Sequence, residues 1–351
     1  MGKFLLASAV LAINSISVAA IAADLPVKAP SLLSPVPEAS GYVELYGGWA
    51  TSRDTINATF CDPTSTPTCG SLNLMQSVNG GIFGGAARGN YWASHNVSLQ
   101  LDVQAEGTSY TLPATSGLSS TSSTVSGQDW LAGGHVNWRD PSLGLLGAFV
   151  GLGDTTGVRH AVFGGEGQAY WNQYTFYFQG GYDTTINNVS GCIDTCTFDA
   201  WFLRGTGRYY FTPNLRLEGT GMYFNESATP GFSGRTASSA LSFSEKFNGW
   251  LWEAKAEWKM DNNPFAFFAK YRGSLTDTKF AITESPTTIT ANARMTDNRF
   301  MAGVRMYFGE KTLQWNDRQG ATLDIISPLA VQSGPLYFPS ASSSGPVIVG
   351  P

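Results

Sequence analysis

Charge is scarce in this chain. Lys, Arg, Asp and Glu make up 13% of its 351 residues, about half the share of an average soluble domain. The net charge of −5 offers no basic surface for nucleic acid, so that class of partner is not expected. Long apolar runs are missing too. Beyond residue 23 no stretch reaches about 18 uninterrupted apolar residues, which excludes a helical membrane span there. Histidine is limited to His95, His135 and His160, and none has a Ser or acidic partner at a spacing that suits a catalytic pair. The Gly-rich run from Gly80 to Gly89 is not followed by Lys-Ser/Thr, so a phosphate loop is not expected either. The reading is therefore no enzyme, no cofactor and no catalytic or metal site.

What the chain has instead is glycine (40 residues) and aromatics (10 Trp, 14 Tyr and 21 Phe), set in two-residue alternation. The clearest stretch is Phe198–Phe224, FDAWFLRGTGRYYFTPNLRLEGTGMYF. Trp201, Leu203, Gly205, Gly207, Tyr209 and Phe211 form one set, and Arg204, Thr206, Arg208 and Tyr210 the other. After Thr212-Pro213-Asn214 the pattern resumes, with Leu215, Leu217, Gly219, Gly221 and Tyr223 against Arg216, Glu218, Thr220 and Met222. A period of two puts each set on its own face of a strand, and Pro-Asn supplies the turn. A soluble sandwich would bury the apolar face against a second sheet and carry many more charges outside. A membrane barrel turns that face to lipid, encloses the charges, and sets aromatics at the headgroup level.

The same unit recurs from Gly41 to Phe308. Leu99, Leu101 and Val103 alternate with Gln100, Asp102 and Gln104. Trp250, Trp252, Ala254, Ala256 and Trp258 alternate with Glu253, Lys255, Glu257 and Lys259, and Phe300, Ala302, Val304, Met306 and Phe308 with Arg299, Arg305 and Tyr307. Tight turns are expected near residues 93, 140, 172, 213 and 262, the one near 140 made by Arg139-Asp140-Pro141. The other connections centre near 63, 118, 156, 190, 235 and 286, all long except the one near 156. The fold class predicted is all-β: a transmembrane antiparallel up-and-down β-barrel of about 12 strands, 10–14 being compatible, with tight turns facing the periplasm and long loops facing outward.

Met1–Ala23 has a basic start at Lys3, an apolar middle and small residues Ala19, Ala20, Ala22 and Ala23, the pattern of a cleaved signal peptide. Residues 24–40 hold Pro26, Pro30, Pro35 and Pro37 and read as an extended periplasmic leader. The junction Ala22-Ala23-Asp24-Leu25-Pro26-Val27-Lys28-Ala29-Pro30 resembles the mature start of alphaproteobacterial outer-membrane β-barrel proteins and porins. The resemblance covers under a tenth of the chain. It implies an envelope location and a barrel, and names no substrate. Barrels of this kind end on a C-terminal aromatic that the assembly machinery reads, and Phe308 holds the equivalent place. Residues 309–351 continue past it, rich in Ser, Pro and Gly with short apolar pieces. They read as a flexible periplasmic tail, with a lumenal plug or a cell-wall tether as the alternatives.

By alternation, Arg204, Arg208, Arg216, Lys255, Lys259, Lys270, Arg272, Arg299 and Arg305 point inward from the last five strands, with Glu218, Glu253 and Glu257. The first seven strands contribute Glu44, Asp102, Glu106, Asp129 and Glu166, with Arg88. One wall of the lumen is then basic and the other acidic, a field that orients polar solutes and favours anions along the basic side. The opposing reading pairs these charges across strands and fills the lumen. In an exported chain the four cysteines suggest disulfides Cys61–Cys69 and Cys192–Cys196, with metal binding by the second pair as the rival. The expectation is an outer-membrane barrel, in a Gram-negative envelope, acting as a narrow porin-like channel for small polar or anionic solutes. Lipid, lipopolysaccharide and the assembly machinery would be its partners, with oligomeric state open. The alternative is a non-conducting structural or surface-adhesion barrel with a filled lumen.

Overall fold

The computed structural model describes residues 39–62, 68–112, 123–155, 158–186, 197–229, 235–236, 239–284, 287–309, 311–324, 336–338 and 347–349. The signal-peptide reading, the leader as far as residue 38, and the pair Cys192 and Cys196 lie outside the described residues; residues 39 and 40, read as the end of the leader, already belong to the first strand.

The long strands are β1 Ala39–Asp62, β2 Thr68–Trp92, β3 Val97–Leu112, β4 Ser123–Asp140, β5 Gly144–Thr155, β6 Val158–Trp171, β7 Tyr174–Thr185, β8 Thr197–Thr212, β9 Leu215–Thr229, β11 Ser239–Lys259, β12 Phe265–Glu284 and β13 Thr287–Phe308. Each is antiparallel to the next, β9 pairs with β11, and β13 pairs with β1, so the sheet closes on itself as a ring of twelve. The intervening β10, Arg235–Thr236, is a stub that pairs only with β11. Closure leaves no strand edge unpaired, the condition for backbone N–H and C=O groups to lie in an apolar medium.

The outward face is apolar. On β8, Trp201, Leu203 and Phe211 are exposed while Phe202, Arg208 and Tyr210 between them are buried. Outward aromatics gather in two girdles. Trp171, Tyr174, Tyr209 and Phe211 meet in tilted and edge-to-face pairs beside the tight turns, with centroids 4.7 to 5.9 Å apart. Trp201, Tyr223 and Trp250 touch at the other end, at 5.4 and 5.0 Å. Trp201 and Tyr209 are separated on β8 by about 26 Å of strand at ~3.3 Å per residue. Tilted by about 40°, that is roughly 20 Å of height, close to the ~25 Å apolar band of a transmembrane barrel.

At the turn end the connections are short, as the sequence predicts. Asn172 and Asn262 take positive φ (53° and 54°), a conformation asparagine tolerates better than most residues. Asp140 accepts from the Ser142 N–H and hydroxyl at 2.8 and 2.6 Å. Arg139, expected in this turn, is instead the buried inward end of β4.

At the other end, two connections expected to be long are short. β1 and β2 pair up to Asp62–Thr68, and β12 and β13 up to Glu284–Thr287. The outward row of β13 explains the error. It runs Phe308, Met306, Val304, Ala302, Phe300 and then Asn298, Thr296, Arg294, Asn292. The apolar belt stops at Phe300 while the ladder continues, and Arg294 there pairs with Asp277 across the hairpin at 2.7 Å. Backbone pairing does not need apolar side chains, so polar strand reads as loop when belt alone is the guide. Cys61 and Cys69 face each other as register partners in the β1–β2 extension.

The tail departs most from expectation. Just past β13, Gly309 takes φ of 74°, and helix α1 (Leu313–Gln319) follows. The Thr312 side chain caps α1 by accepting from the Trp315 N–H at 3.1 Å, and the Gly320 N–H donates to the Asn316 carbonyl at 2.7 Å. Leu313 packs with Tyr42, Tyr210, Ala266 and Tyr307, inward residues of the wall, and Leu323 with Leu145 and Tyr177. Residues 311–324 are thus a plug in the turn end of the barrel, because they carry apolar anchors that the lumen wall covers. Farther on, Leu336–Phe338 and Val347–Val349 pair with each other.

A Cβ at position 309 would meet the Ala39 carbonyl oxygen at 2.5 Å, and the left-handed backbone is itself strained for alanine. Gly309→Ala is expected to cost about 1 kcal/mol or more. Proteolysis of the tail should quicken, while the heat-induced gel shift of the barrel stays as in the native chain.

Candidate functional site

Alternation places every charge named from the sequence on the inward face. The two walls are not left facing each other, however; they are tied together. Arg305 on β13 holds its register partner Glu44 on β1 through Nε at 2.7 Å and reaches Glu257 on β11 at 2.9 Å. Arg299 spans from β13 to Glu106 on β3 at 2.8 Å. Glu257 also takes Arg216 at 2.7 Å, and Glu218 takes Lys255 and Arg208, each at 2.9 Å. On the acidic side, His135 fits between Asp102 (3.0 Å) and Glu166 (2.7 Å), one carboxylate to each ring nitrogen. His160 meets Asp183 at 2.9 Å. Buried charges are tolerated when paired in this way.

Arg208 links wall to plug. Its guanidinium donates to Glu218 at 2.9 Å, to Asp317 at 2.5 Å, and to the Thr322 hydroxyl and carbonyl at 2.6 and 3.2 Å. Asp317 also accepts from the Thr175 hydroxyl at 2.5 Å. The plug backbone is held by side chains from other strands. Arg139 donates to the Gly320 carbonyl at 2.8 Å and Trp92 Nε1 to that of Gln319 at 2.9 Å. The Gln100 amide both donates to the Leu323 carbonyl (2.6 Å) and accepts from its N–H (3.1 Å). At the inner tip, Asp324 pairs with Arg88 and, at 3.4 Å, with Arg204.

Above the tip lies a small chamber of about 70 Å³. Six cations line it (Arg88, Arg204, Lys255, Lys270, Arg272 and Arg305) against three carboxylates, Glu44, Glu253 and Asp324. Glu253 serves both Arg272 (3.3 Å) and Lys270 (3.8 Å), while Lys255 and Arg305 are also met from behind the lining by Glu218 and Glu257, each at 2.9 Å. Farther from the plug, apolar clusters sit beside buried pairs such as Arg299–Asp297. Phe149, Phe202, Met222, Phe224 and Leu251 form one buried cluster, and Tyr46, Ile82, Tyr110, Phe268 and Met301 belong to another. Gly181 makes room for the first, since a Cβ there would lie 2.7 Å from the Phe202 ring.

These inward aromatics are the residues that alternation underused. Phe202, Leu251, Phe268 and Met301 share the parity of the charges, and that parity was the available signal. Arg139, Asp317 and Asp324 carried no pattern at all. Among the described residues, no group of three or more His, Cys, Asp or Glu could hold a metal ion.

Removing the arginine side chain at 208 takes from the buried Asp317 carboxylate its paired cation, while Glu218 keeps Lys255, and Arg208→Ala is expected to cost about 3–5 kcal/mol, read as a lower Tm. The plug also has a pH limit. Burial alone would raise the Asp317 carboxyl, but Arg208 and Arg216 outweigh it and hold it below the usual carboxylate range. Burial is likewise overcome at Asp324 by Arg88, Arg204 and Arg208, which hold that carboxyl well below the range. Carboxylates depressed in the folded state stabilise it fully above their unfolded pKa of about 3.9. The plug should therefore stay seated at neutral and mildly acidic pH and loosen only as pH falls below that value. Hydrogen exchange of residues 311–324, corrected for intrinsic rates, should show protection lost only in that window.

No protein-family model and no curated protein matches the chain. Among solved structures it is similar to the COG4313 outer membrane channel from Pseudomonas putida F1, with 11% identity, 82% of this chain and 100% of that chain covered, and a TM-score of 0.49. It is also similar to the outer membrane protease OmpT from Escherichia coli (11% identity, 76% and 97% covered, TM-score 0.35) and to the KdgM porin (9%, 73% and 99%, TM-score 0.30). Likenesses this distant carry no argument about substrate or activity.

Proposed function

We propose that the chain is an exported outer-membrane barrel and forms a narrow channel for small polar solutes, with a preference for anions, gated at its periplasmic end by its own C-terminal segment. The observation that carries this reading is the chamber with six cations against three carboxylates, floored by Asp324. A solute entering it meets charged side chains that are mostly cationic, the lining that favours anions in barrel pores. Twelve strands enclose a lumen between those filled by side chains and those of wide porins, so a partial plug suffices to close it.

The location rests on the apolar belt with its two girdles, the signal-peptide pattern and the resemblance at residues 22–30. The turn end then faces the periplasm, and the extended β1–β2 and β12–β13 hairpins stand above lipid and lipopolysaccharide. A Cys61–Cys69 bridge would staple the first of these hairpins. Phe308 would be read by the assembly machinery. The reading includes no enzymatic activity.

The non-conducting alternative is favoured by the two apolar clusters inside the barrel. Planar-bilayer recordings separate the two. The full chain should open rarely, and a chain ending at Gly309 should show discrete openings with anion-selective reversal potentials. Lys270→Glu in the shortened chain should shift selectivity toward cations. Silence from both forms, each passing the heat-induced gel-shift test of folding, would mean a structural or adhesive barrel.

A further inference from the structure

Asp324 is gripped as a free anion would be. One carboxylate oxygen goes to Arg88 on β2; the other lies 3.4 Å from Arg204 and 3.6 Å from Arg208, both on β8. In the closed order of strands, β2 and β8 stand on opposite sides of the ring. The three guanidinium groups therefore reach toward one point from both walls, at the inner tip of the plug and the floor of the chamber. All three are largely shielded from solvent, with side-chain exposures of 10, 13 and 2%. Further donors converge on the same residue. Gln179 and the Tyr177 hydroxyl both donate to the Asp324 carbonyl, at 2.5 and 3.4 Å.

We propose that Arg88, Arg204 and Arg208 are the anion-binding site of the lumen, built for a small carboxylate, and that Asp324 occupies it as a competitor carried by the chain itself. The proposal deepens the channel reading and rests on it for the direction of transport, not for the binding. With the tail withdrawn Arg208 keeps Glu218, but all three guanidinium groups lose the carboxylate they share; buried cations short of counter-charge are costly, so the site draws in an anion. A carboxylate fits better than a tetrahedral oxyanion. Its two oxygens in one plane divide between opposite walls as those of Asp324 do, and guanidinium donors match that geometry. Plug and solute then exclude each other, so the solute itself helps to keep the channel open.

The test is binding of succinate, with inorganic phosphate as the second probe, to detergent-purified protein by calorimetry at fixed ionic strength. Asp324→Asn should bind succinate roughly tenfold more tightly than the native chain, the factor for a site that the tail leaves vacant about a tenth of the time. A chain ending at Gly309 frees the same arginines without placing an asparagine among them, and should bind at least as tightly. Adding Arg204→Gln to either form should abolish the gain. Equal affinity in native, Asp324→Asn and shortened chains overturns the proposal, as does a gain that survives Arg204→Gln. Phosphate binding more tightly than succinate overturns the carboxylate assignment. Tight succinate binding with no conductance in any form leaves the site standing and removes the channel; conductance without competitive binding does the reverse.

Discussion

A peptide group in hydrocarbon has nothing outside the chain to bond with, and the closed antiparallel ladder follows from that fact. Once the ladder closes, only two faces remain, and residues of opposite parity go to opposite solvents. Trp201, Leu203 and Phe211 go to lipid because Arg204, Arg208 and Tyr210 cannot. The enclosed face then inherits its own problem, since a crowd of charges has been taken from bulk water. The cross-wall pairs Arg305–Glu44 and Arg299–Glu106, and the Asp102–His135–Glu166 bridge, are its solution. They brace the ring internally while the ladder braces it along the wall.

Arg208 and Arg88 stand where that bracing is incomplete without the tail. Glu218 satisfies one edge of the Arg208 guanidinium, and the other edge is met by Asp317 and Thr322 from a segment more than a hundred residues away in sequence. The plug is consequently more than a steric stopper. Its carboxylates complete an electrostatic arrangement that the strands leave positive, while Leu313 and Leu323 supply the apolar contact that seats it.

Much of this was legible in the sequence, and the rest was hidden for physical reasons. Strands β8, β9 and β11 could be read because each places charged and apolar residues in strict alternation, and the turns because Pro213-Asn214 and Asp261-Asn262-Asn263 punctuate them. The upper hairpins could not, because the outward row of that part of β1 is polar (Thr51, Arg53, Thr55, Asn57, Thr59), with the apolar Ile56 and Ala58 turned inward, and it still pairs fully with β2. Arg139 was hidden by the Asp-Pro that follows it, a turn signal displaced by one residue from the buried end of the strand. The partly filled lumen was written in the parity of Phe202, Leu251, Phe268 and Met301, and outweighed by the charges beside them. The seating of the tail has no period to detect. Leu313, Asp317, Leu323 and Asp324 acquire meaning only from partners on β2, β3, β7 and β8.

The receptacle for α1 is built jointly by the first strand and the last. Tyr42 belongs to β1 and Tyr307 to β13, and their rings meet edge to face at 5.3 Å only after those strands have zipped together. Leu313 therefore has nowhere to dock until the cylinder is complete. Seating the tail thus presupposes a closed ring, and the stopper and the seam that receives it belong to one polypeptide.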